Sequence, residues 1–295
     1  MPFSCIFDNT EYKNMNMVYL NGSFMPIDEA RIPVLDRGFL FGDAVYEVVP
    51  VYDRHPFRLD WHLQRLQNSL DGIRLKNPMS TDAWKSLFLA MIEKHTQKNQ
   101  SIYLQVTRGV AKRDQAFPVS TPPTLFMMSN PLHTPSPEDI ENGVSAITSE
   151  DFRWLKCDIK STSLLGNCLL RQLSAEQGAT ETILFREGQL TEASTSNVFI
   201  VKNNVLLAPV SNHLLLPGIT YQVILEIARE REFELEVRDI SAAETLSADE
   251  IWLTSSSKEV LAVTRLNGQP VGEGKPGRVF KRMHALFQAL KREGQ

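Results

Sequence analysis

Hydrophobic residues recur along this chain with two periods, and the switch between them places most of its elements. Val18–Phe24 reads as strand, turn, strand, with Asn21-Gly22 supplying the turn. Ala44–Tyr52, rich in β-branched and aromatic residues, predicts a longer strand. The period then lengthens. Leu59, Leu63, Leu66, Leu70 and Ile73 recur at helical spacing, and Trp84, Leu87, Phe88, Met91 and Ile92 predict a second helix. Strands are expected at Ile102–Thr107 and Thr124–Met128.

Between Ser129 and Pro137 the pattern stops: three prolines and no apolar period make this the natural boundary. The expected division is an N-terminal domain over 1–130, with 1–16 as an extension, a linker over 131–137, and a C-terminal domain over 138–295. In the second half a helix is expected from Ser163 to about Gln177, with Leu165, Leu169, Leu170 and Leu173 inward. Strands follow near Glu181–Phe185 and Asn197–Val201, with hairpin signals at Glu187-Gly188 and Asn203-Asn204. A helix opens after Pro217-Gly218, then come strands at Glu234–Asp239 and Ile251–Thr254 and a terminal helix at Val279–Lys291. Strands and helices alternate without the glycine fingerprint of a dinucleotide fold, which predicts two α/β domains.

Composition narrows the function classes. With 295 residues, 42% of them hydrophobic, the chain can bury a sizeable core. Its net charge is 31 − 35 = −4 with both signs spread along the sequence, which argues against nucleic acid as a partner. Lys281, Arg282, Lys291 and Arg292 read as the solvated face of a helix. Cys5, Cys157 and Cys168 have no metal-ligand spacing, and the six histidines form no close pair, so no metal is expected. No apolar run is long enough to span a membrane and no signal-peptide pattern opens the chain, so a reducing cytoplasm is the expected compartment.

Four short stretches can carry chemistry. Asp158-Ile159-Lys160-Ser161-Thr162 sets a lysine after an apolar residue at a strand-to-helix junction. Partial desolvation there would lower the amine's pKa from about 10.4, as attack on an aldehyde requires. Leu190–Asn197 offers Glu192 followed by small hydroxyl residues, suited to a protonated heterocycle at one end and phosphate oxygens at the other. Leu216-Pro217-Gly218-Ile219-Thr220 opens a helix whose first N–H groups suit a phosphate. Thr254–Ser257 adds hydroxyls after a strand. Each also has an ordinary reading, as surface lysine, polar turn, helix start or loop, and singly none decides the matter.

In order, the strings Asp36-Arg37-Gly38-Phe39-Leu40-Phe41-Gly42-Asp43, His62-Leu63-Gln64-Arg65-Leu66, Asp158-Ile159-Lys160-Ser161, Leu190–Phe199 and Leu216–Thr220 resemble the class IV, fold-type IV aminotransferases. That family includes branched-chain aminotransferases, D-amino acid aminotransferases and aminodeoxychorismate lyases. The resemblance runs from Val18 to the C-terminal helix and implies pyridoxal 5′-phosphate as cofactor. It implies an α/β (α+β two-domain) fold, with a smaller N-terminal and a larger C-terminal domain, and a homodimer whose sites are completed by the partner chain. By the same resemblance Lys160 carries the cofactor as a Schiff base, Arg65 clamps its phosphate and Glu192 pairs with the pyridine nitrogen. Leu216 packs on the ring, while Ser196, Gly218, Ile219, Thr220 and Ser256 serve the phosphate end.

Two segments bear on substrate. Phe41–Val49 is similar to the D-amino acid enzymes, where a tyrosine, here Tyr46, lines the carboxylate pocket; a purely structural tyrosine is the alternative. Val106–Pro118 resembles the loop of those enzymes that carries an arginine and, two residues on, a histidine. Arg113 fits the arginine, with a surface charge as the other reading, but Gln115 stands where histidine is expected. Ser257 falls where the family uses a backbone donor near substrate. The reading is a D-amino acid transaminase, with D-alanine and 2-oxoglutarate as the default pair. The alternatives are a branched-chain or other class IV aminotransferase, an aminodeoxychorismate lyase, or a catalytically idle cofactor-binding module.

Overall fold

The computed structural model describes residues 17–293, which divide into two units. The first comprises residues through Leu132 together with Ser161–Ser163, and the second His133–Lys160 with everything from Leu164 onward. The chain therefore leaves the second unit directly after Lys160 and returns at Leu164. The proposed extension, Met1–Asn16, lies outside the described residues.

In the first unit β1 (Met17–Leu20) and β2 (Ser23–Pro26) form a hairpin over Asn21-Gly22. Both turn residues have positive φ, +48° and +101°, as the tight turn between twisted strands requires. A short helix α1 (Arg37–Phe41) precedes β3 (Ala44–Tyr52), the two-residue β4 (His55–Pro56), and helices α2 (Leu59–Gly72) and α3 (Thr81–Glu93). Strands β5 (Gln100–Thr107) and β6 (Thr124–Pro131) complete a six-stranded sheet in the order β2-β1-β6-β5-β3-β4. The period of two sorts its side chains. Val45, Val49, Ile102, Leu104 and Val106 are fully buried on one face, while Tyr46, Val48, Tyr103 and Gln105 on the other are half-buried.

Glu47 shares the buried face, an ionisable group in an apolar layer. The Arg65 Nε and Nη2 donate to its two oxygens at 2.8 Å each, and His62 Nδ1 lies 2.8 Å from Oε2. Burial pushes the Glu47 carboxyl up, but the Arg65 guanidinium and the hydrogen bonds of Arg65 and His62 overcome it and hold it well below 4.5. His62 and Arg65 lie three residues apart, so one face of α2 is fastened to β3 by this cluster as well as by Leu63, Leu66 and Leu70.

The second unit opens with α4 (Pro137–Asn142), whose N-terminus carries a reciprocal capping box between Ser136 and Asp139. After β7 (Val144–Glu150) an irregular segment over 151–164 leads to α5 (Leu165–Glu176). Strands β8 (Glu181–Arg186), β9 (Gln189–Ala193), β10 (Asn197–Lys202) and β11 (Val205–Ala208) follow, then α6 (Ile219–Glu230) and β12 (Leu235–Val237). The chain continues through α7 (Ala242–Leu246), β13 (Glu250–Ser255), β14 (Glu259–Leu266), β15 (Gln269–Pro270) and α8 (Arg278–Glu293). The sheet runs β12-β11-β10-β13-β14-β7-β8-β9, with β15 on β14, and mixes parallel with antiparallel pairs. One face holds an aliphatic core that includes Ile183, Val198, Ile200, Ile251, Leu253 and Leu261. The other is aromatic: Phe199 stacks on Tyr221 of α6 at 5.0 Å, and Trp252 meets Phe280 of α8 edge-on at 6.2 Å.

Two sequence expectations are corrected. In α5 Leu165, Leu169 and Leu173 are exposed, and only Leu170 and Ser174 are buried. The Thr182 hydroxyl donates to the Leu170 carbonyl at 2.6 Å and fixes which stripe faces the sheet; periodicity defines a stripe but not its direction. In α8 Lys291 is not solvated but lies half-buried, 2.6 Å from Glu259. Among the described residues no helix is long and apolar enough to cross a membrane, and no cluster of metal-binding side chains occurs.

The Glu47 cluster generates a test. Glu47→Gln leaves Arg65 buried without a counter-charge and should lower the unfolding free energy by about 3–5 kcal/mol at neutral pH, measured by urea unfolding. A carboxyl depressed in the native state contributes stability that is present above its ordinary 4.5 and lost as pH falls toward its native value. The gap between wild type and variant should therefore shrink below pH 4.5. A gap unchanged on acidification would contradict the ion-pair account.

Candidate active site

Glu192 is the centre of the second unit's polar interior. It lies near the end of β9, is 5% exposed, and accepts from Arg153 Nη1, from Asn197 Nδ2 at 3.2 Å and from the Leu216 N–H at 3.2 Å. Burial pushes its carboxyl up to about 7, against the pull of Arg153 and the Leu216 N–H. Arg153 is itself fixed, donating from Nε and Nη2 to Asp151 at 2.9 and 2.8 Å. The Thr191 hydroxyl and Arg186 reach the same aspartate at 3.0 and 3.1 Å. An acid near neutrality thus sits beside an arginine whose charge is secured by a second carboxylate.

Asn197 carries the arrangement to the start of α6. Its Nδ2 also donates to the Leu216 carbonyl at 2.8 Å, and its Oδ1 would lie 2.0 Å from a Cβ placed on Gly218. Gly218 therefore permits an approach no other residue allows; its φ of −64° is open to any of them. It is the N-cap of α6 and has no side chain with which to satisfy the first-turn N–H groups at Ile219 and Thr220. Thr254 pairs with Asn197 across β13 and β10, on the sheet face that carries Phe199 and Trp252 toward α6. Its Oγ1 is buried and has no hydrogen-bond partner in the protein among the described residues.

The hydroxyl residues after Glu192 converge on one acceptor. Ser196 donates to Glu181 at 2.9 Å, and the hydroxyls of Ser194 and Thr195 reach the same carboxylate. Ser256 is half-buried and Ser257 exposed in the turn between β13 and β14. Lys160 lies half-buried in the segment 151–164. That segment is anchored by Arg153 at Glu192 and by the Cys157 N–H, which donates to the His213 carbonyl at 2.9 Å.

In the first unit Arg65 is buried on α2 with two nitrogens committed to Glu47. Tyr46 stands on the opposite face of the sheet, stacked on Tyr103 with ring centroids 5.7 Å apart. Arg113 and Gln115 are exposed on the segment after β5. The Asp36–Asp43 string holds that segment in place. Asp36 caps α1 and accepts from the Thr107 and Thr124 hydroxyls at 3.0 and 2.6 Å. Arg37 donates to Asp43 at 2.8 Å and to the carbonyls of Asp114, Gln115 and Ala116. Arg108 also meets Asp43 at 2.8 Å and stacks under the Phe117 ring, 3.7 Å from its centroid.

Sequence reasoning named Glu192 and Gly218 but missed the residues that orient them: Arg153, Asp151 and Asn197. Asn197 was legible within the Glu192 string. Arg153 and Asp151 lie in an irregular segment with no periodic or motif signal, and only the fold brings Arg153 to Glu192, 39 residues along.

Residues 44–266 match the family described as Amino-transferase class IV. The D-alanine aminotransferase of Bacillus licheniformis is 38% identical over 271 residues, covering 92% of this chain and 95% of that one. The D-alanine aminotransferase of Listeria innocua is 37% identical over 273 residues, with 92% and 94% covered. Among solved structures, the branched-chain amino acid aminotransferase of Escherichia coli superposes with a TM-score of 0.88 at 26% identity, over 94% of each chain. The branched-chain amino acid aminotransferase of Thermobaculum terrenum, in its PLP form, gives a TM-score of 0.84 at 22% identity. That match covers 96% of this chain and 95% of the other, and is a likeness of fold alone. Matched across most of its length in both sequence and fold, the chain belongs to the class IV aminotransferases, enzymes dependent on pyridoxal phosphate.

Proposed function

We propose that this enzyme moves the amino group of a D-amino acid, D-alanine by default, to a 2-oxo acid, 2-oxoglutarate by default. The observation that carries the reading is the link through Asn197 between a buried acid, Glu192, and a glycine helix start, Gly218. The substrate class is supported by the D-alanine aminotransferases of Bacillus licheniformis and Listeria innocua and by Tyr46 and Arg113.

The second unit's residues fit pyridoxal phosphate on three counts. A Cβ at Gly218 would collide with Asn197 at the α6 N-terminus, the Thr254 hydroxyl is an orphaned buried donor, and burial raises the Glu192 carboxyl to about 7. Ser196, Gly218, Ile219, Thr220 and Ser256 would hold the phosphate end, Leu216 the ring, and Lys160 the aldehyde carbon. Arg65, its fork oriented by Glu47, is proposed as the phosphate's permanently charged partner. When bound, the cofactor supplies an electron sink for the charge left on the substrate's α-carbon.

The protein's part is proton handling and orientation. Glu192, near 7 and backed by Arg153, would share a proton with the cofactor's ring nitrogen. Lys160 Nζ takes the substrate's α-proton and returns it, first base and then acid. Tyr46, Arg113, Gln115 and the Ser257 backbone would receive the substrate carboxylate. Gln115 donates a hydrogen bond without charge where a histidine would carry one, so Arg113 bears the electrostatic share. A homodimer belongs to the same proposal, supported by the exposure of Leu165, Leu169 and Leu173 and of Phe152, Trp154 and Leu155. The free thiols Cys157 and Cys168 accord with a reducing cytoplasm.

Two measurements test the reading. With pyridoxal phosphate and 2-oxoglutarate, the protein should turn over D-alanine in a panel with L-leucine, L-alanine and aminodeoxychorismate. Turnover of L-leucine without D-alanine would reverse the substrate assignment and leave the cofactor residues standing. Lys160→Ala should lower kcat by a factor on the order of 10⁴ or more while cofactor is still taken up, measured by coupled assay and absorbance. Full activity in that variant would remove Lys160 from the mechanism.

A further inference from the structure

Glu181, an acidic residue, opens β8 and is fully buried. It collects the hydroxyls of Ser194, Thr195 and Ser196 and the Thr195 N–H at 3.1 Å. The Lys258 Nζ reaches the same carboxylate at 3.1 Å and donates to the Thr195 hydroxyl at 2.9 Å. Burial pushes the Glu181 carboxyl up; Lys258 and the three hydroxyls bring it below the ordinary range.

Lys258 is well placed to join two loops. It lies in the turn Ser256–Lys258 between β13 and β14, and its own N–H donates to Ser255 Oγ at 3.1 Å. The next residue, Glu259, is fastened separately to α8, accepting from Lys291 Nζ and Gln288 Nε2 at 2.6 Å each. Its left-handed φ of +53° turns the chain so that neighbouring side chains serve different partners. The lysine therefore projects from a fixed base, two residues from Ser256, onto the carboxylate that organises Ser194–Ser196.

We propose that Lys258 is a positioning residue for the phosphate end of the cofactor site, cancelling the buried charge of Glu181 and locking the turn 194–196 to the loop of Ser256. The inference rests on the pyridoxal-phosphate reading above. Without the ammonium, an uncompensated buried carboxylate would stand behind the turn that carries Ser196, and like charges in a poorly solvated site repel. With it, the local charge is balanced and the three hydroxyls stay committed to Glu181, which holds the turn in place. Lys258 acts through Glu181 and the hydroxyls, not by touching the phosphate.

The test compares pyridoxal phosphate with pyridoxal, which has the same ring and aldehyde but no phosphate, titrated by absorbance into each protein. Lys258→Met should weaken pyridoxal phosphate about 10- to 100-fold and pyridoxal less than about threefold, the range expected for a lost charge-assisted contact. Lys258→Arg should retain affinity, and Glu181→Gln/Lys258→Met, which removes both charges, should regain most of it. The inference is overturned by Lys258→Met binding pyridoxal phosphate as wild type does, by an equal loss of both ligands, or by a double variant no better than Lys258→Met. Wild type that takes up neither ligand would instead overturn the cofactor reading itself.

Discussion

Taking the Glu192 carboxylate out of water costs several kcal/mol unless the protein returns the lost hydrogen bonds. Arg153, Asn197 and the Leu216 N–H return them, and each of these donors must be held in turn. Arg153 needs Asp151, which also engages Thr191 and Arg186. Asn197 needs the Leu216 carbonyl, and its position requires that residue 218 have no side chain. The segment that carries Lys160, the turn before α6 and the start of β10 are thus fixed by one demand for solvation.

Three buried carboxylates of this chain answer that demand differently, and the differences sort structure from chemistry. Glu47 is overcompensated by Arg65 and His62 and is held far down. Glu181 is pulled below its ordinary range by Lys258 and hydroxyls. Glu192 alone of the three is pushed up, to about 7, because burial outweighs its donors. A group that must share a proton at neutral pH needs that balance, whereas an anchoring carboxylate needs the opposite one. Environment, not residue type, fits Glu192 for the role proposed for it.

Elements with a strong period were readable from the sequence: β3 matches its expected Ala44–Tyr52 span, and the Asn21-Gly22 turn adopts the dihedrals its residues favour. The direction of an apolar stripe was not. α5 turns Leu165, Leu169 and Leu173 outward because the Thr182 hydroxyl docks on the Leu170 carbonyl, and that polar contact leaves no mark in the periodicity. The candidate site shows the same limit. Lys160, Glu192 and Gly218 stand out because each has a short local string. Arg153, Glu181 and Lys258 do not, since each is defined by a partner that only the folded sheet supplies. Resemblance to a family carries the first kind of residue further than the second.

The central claim is that the second unit presents Lys160 as the point of covalent cofactor attachment. Borohydride reduction of the protein with pyridoxal phosphate, followed by tryptic digestion and mass spectrometry, reads this directly. The account predicts one stoichiometric pyridoxyl label on the peptide Cys157–Arg171, at Lys160, where cleavage is blocked. A label spread over surface lysines, or located stoichiometrically at another lysine, would contradict it.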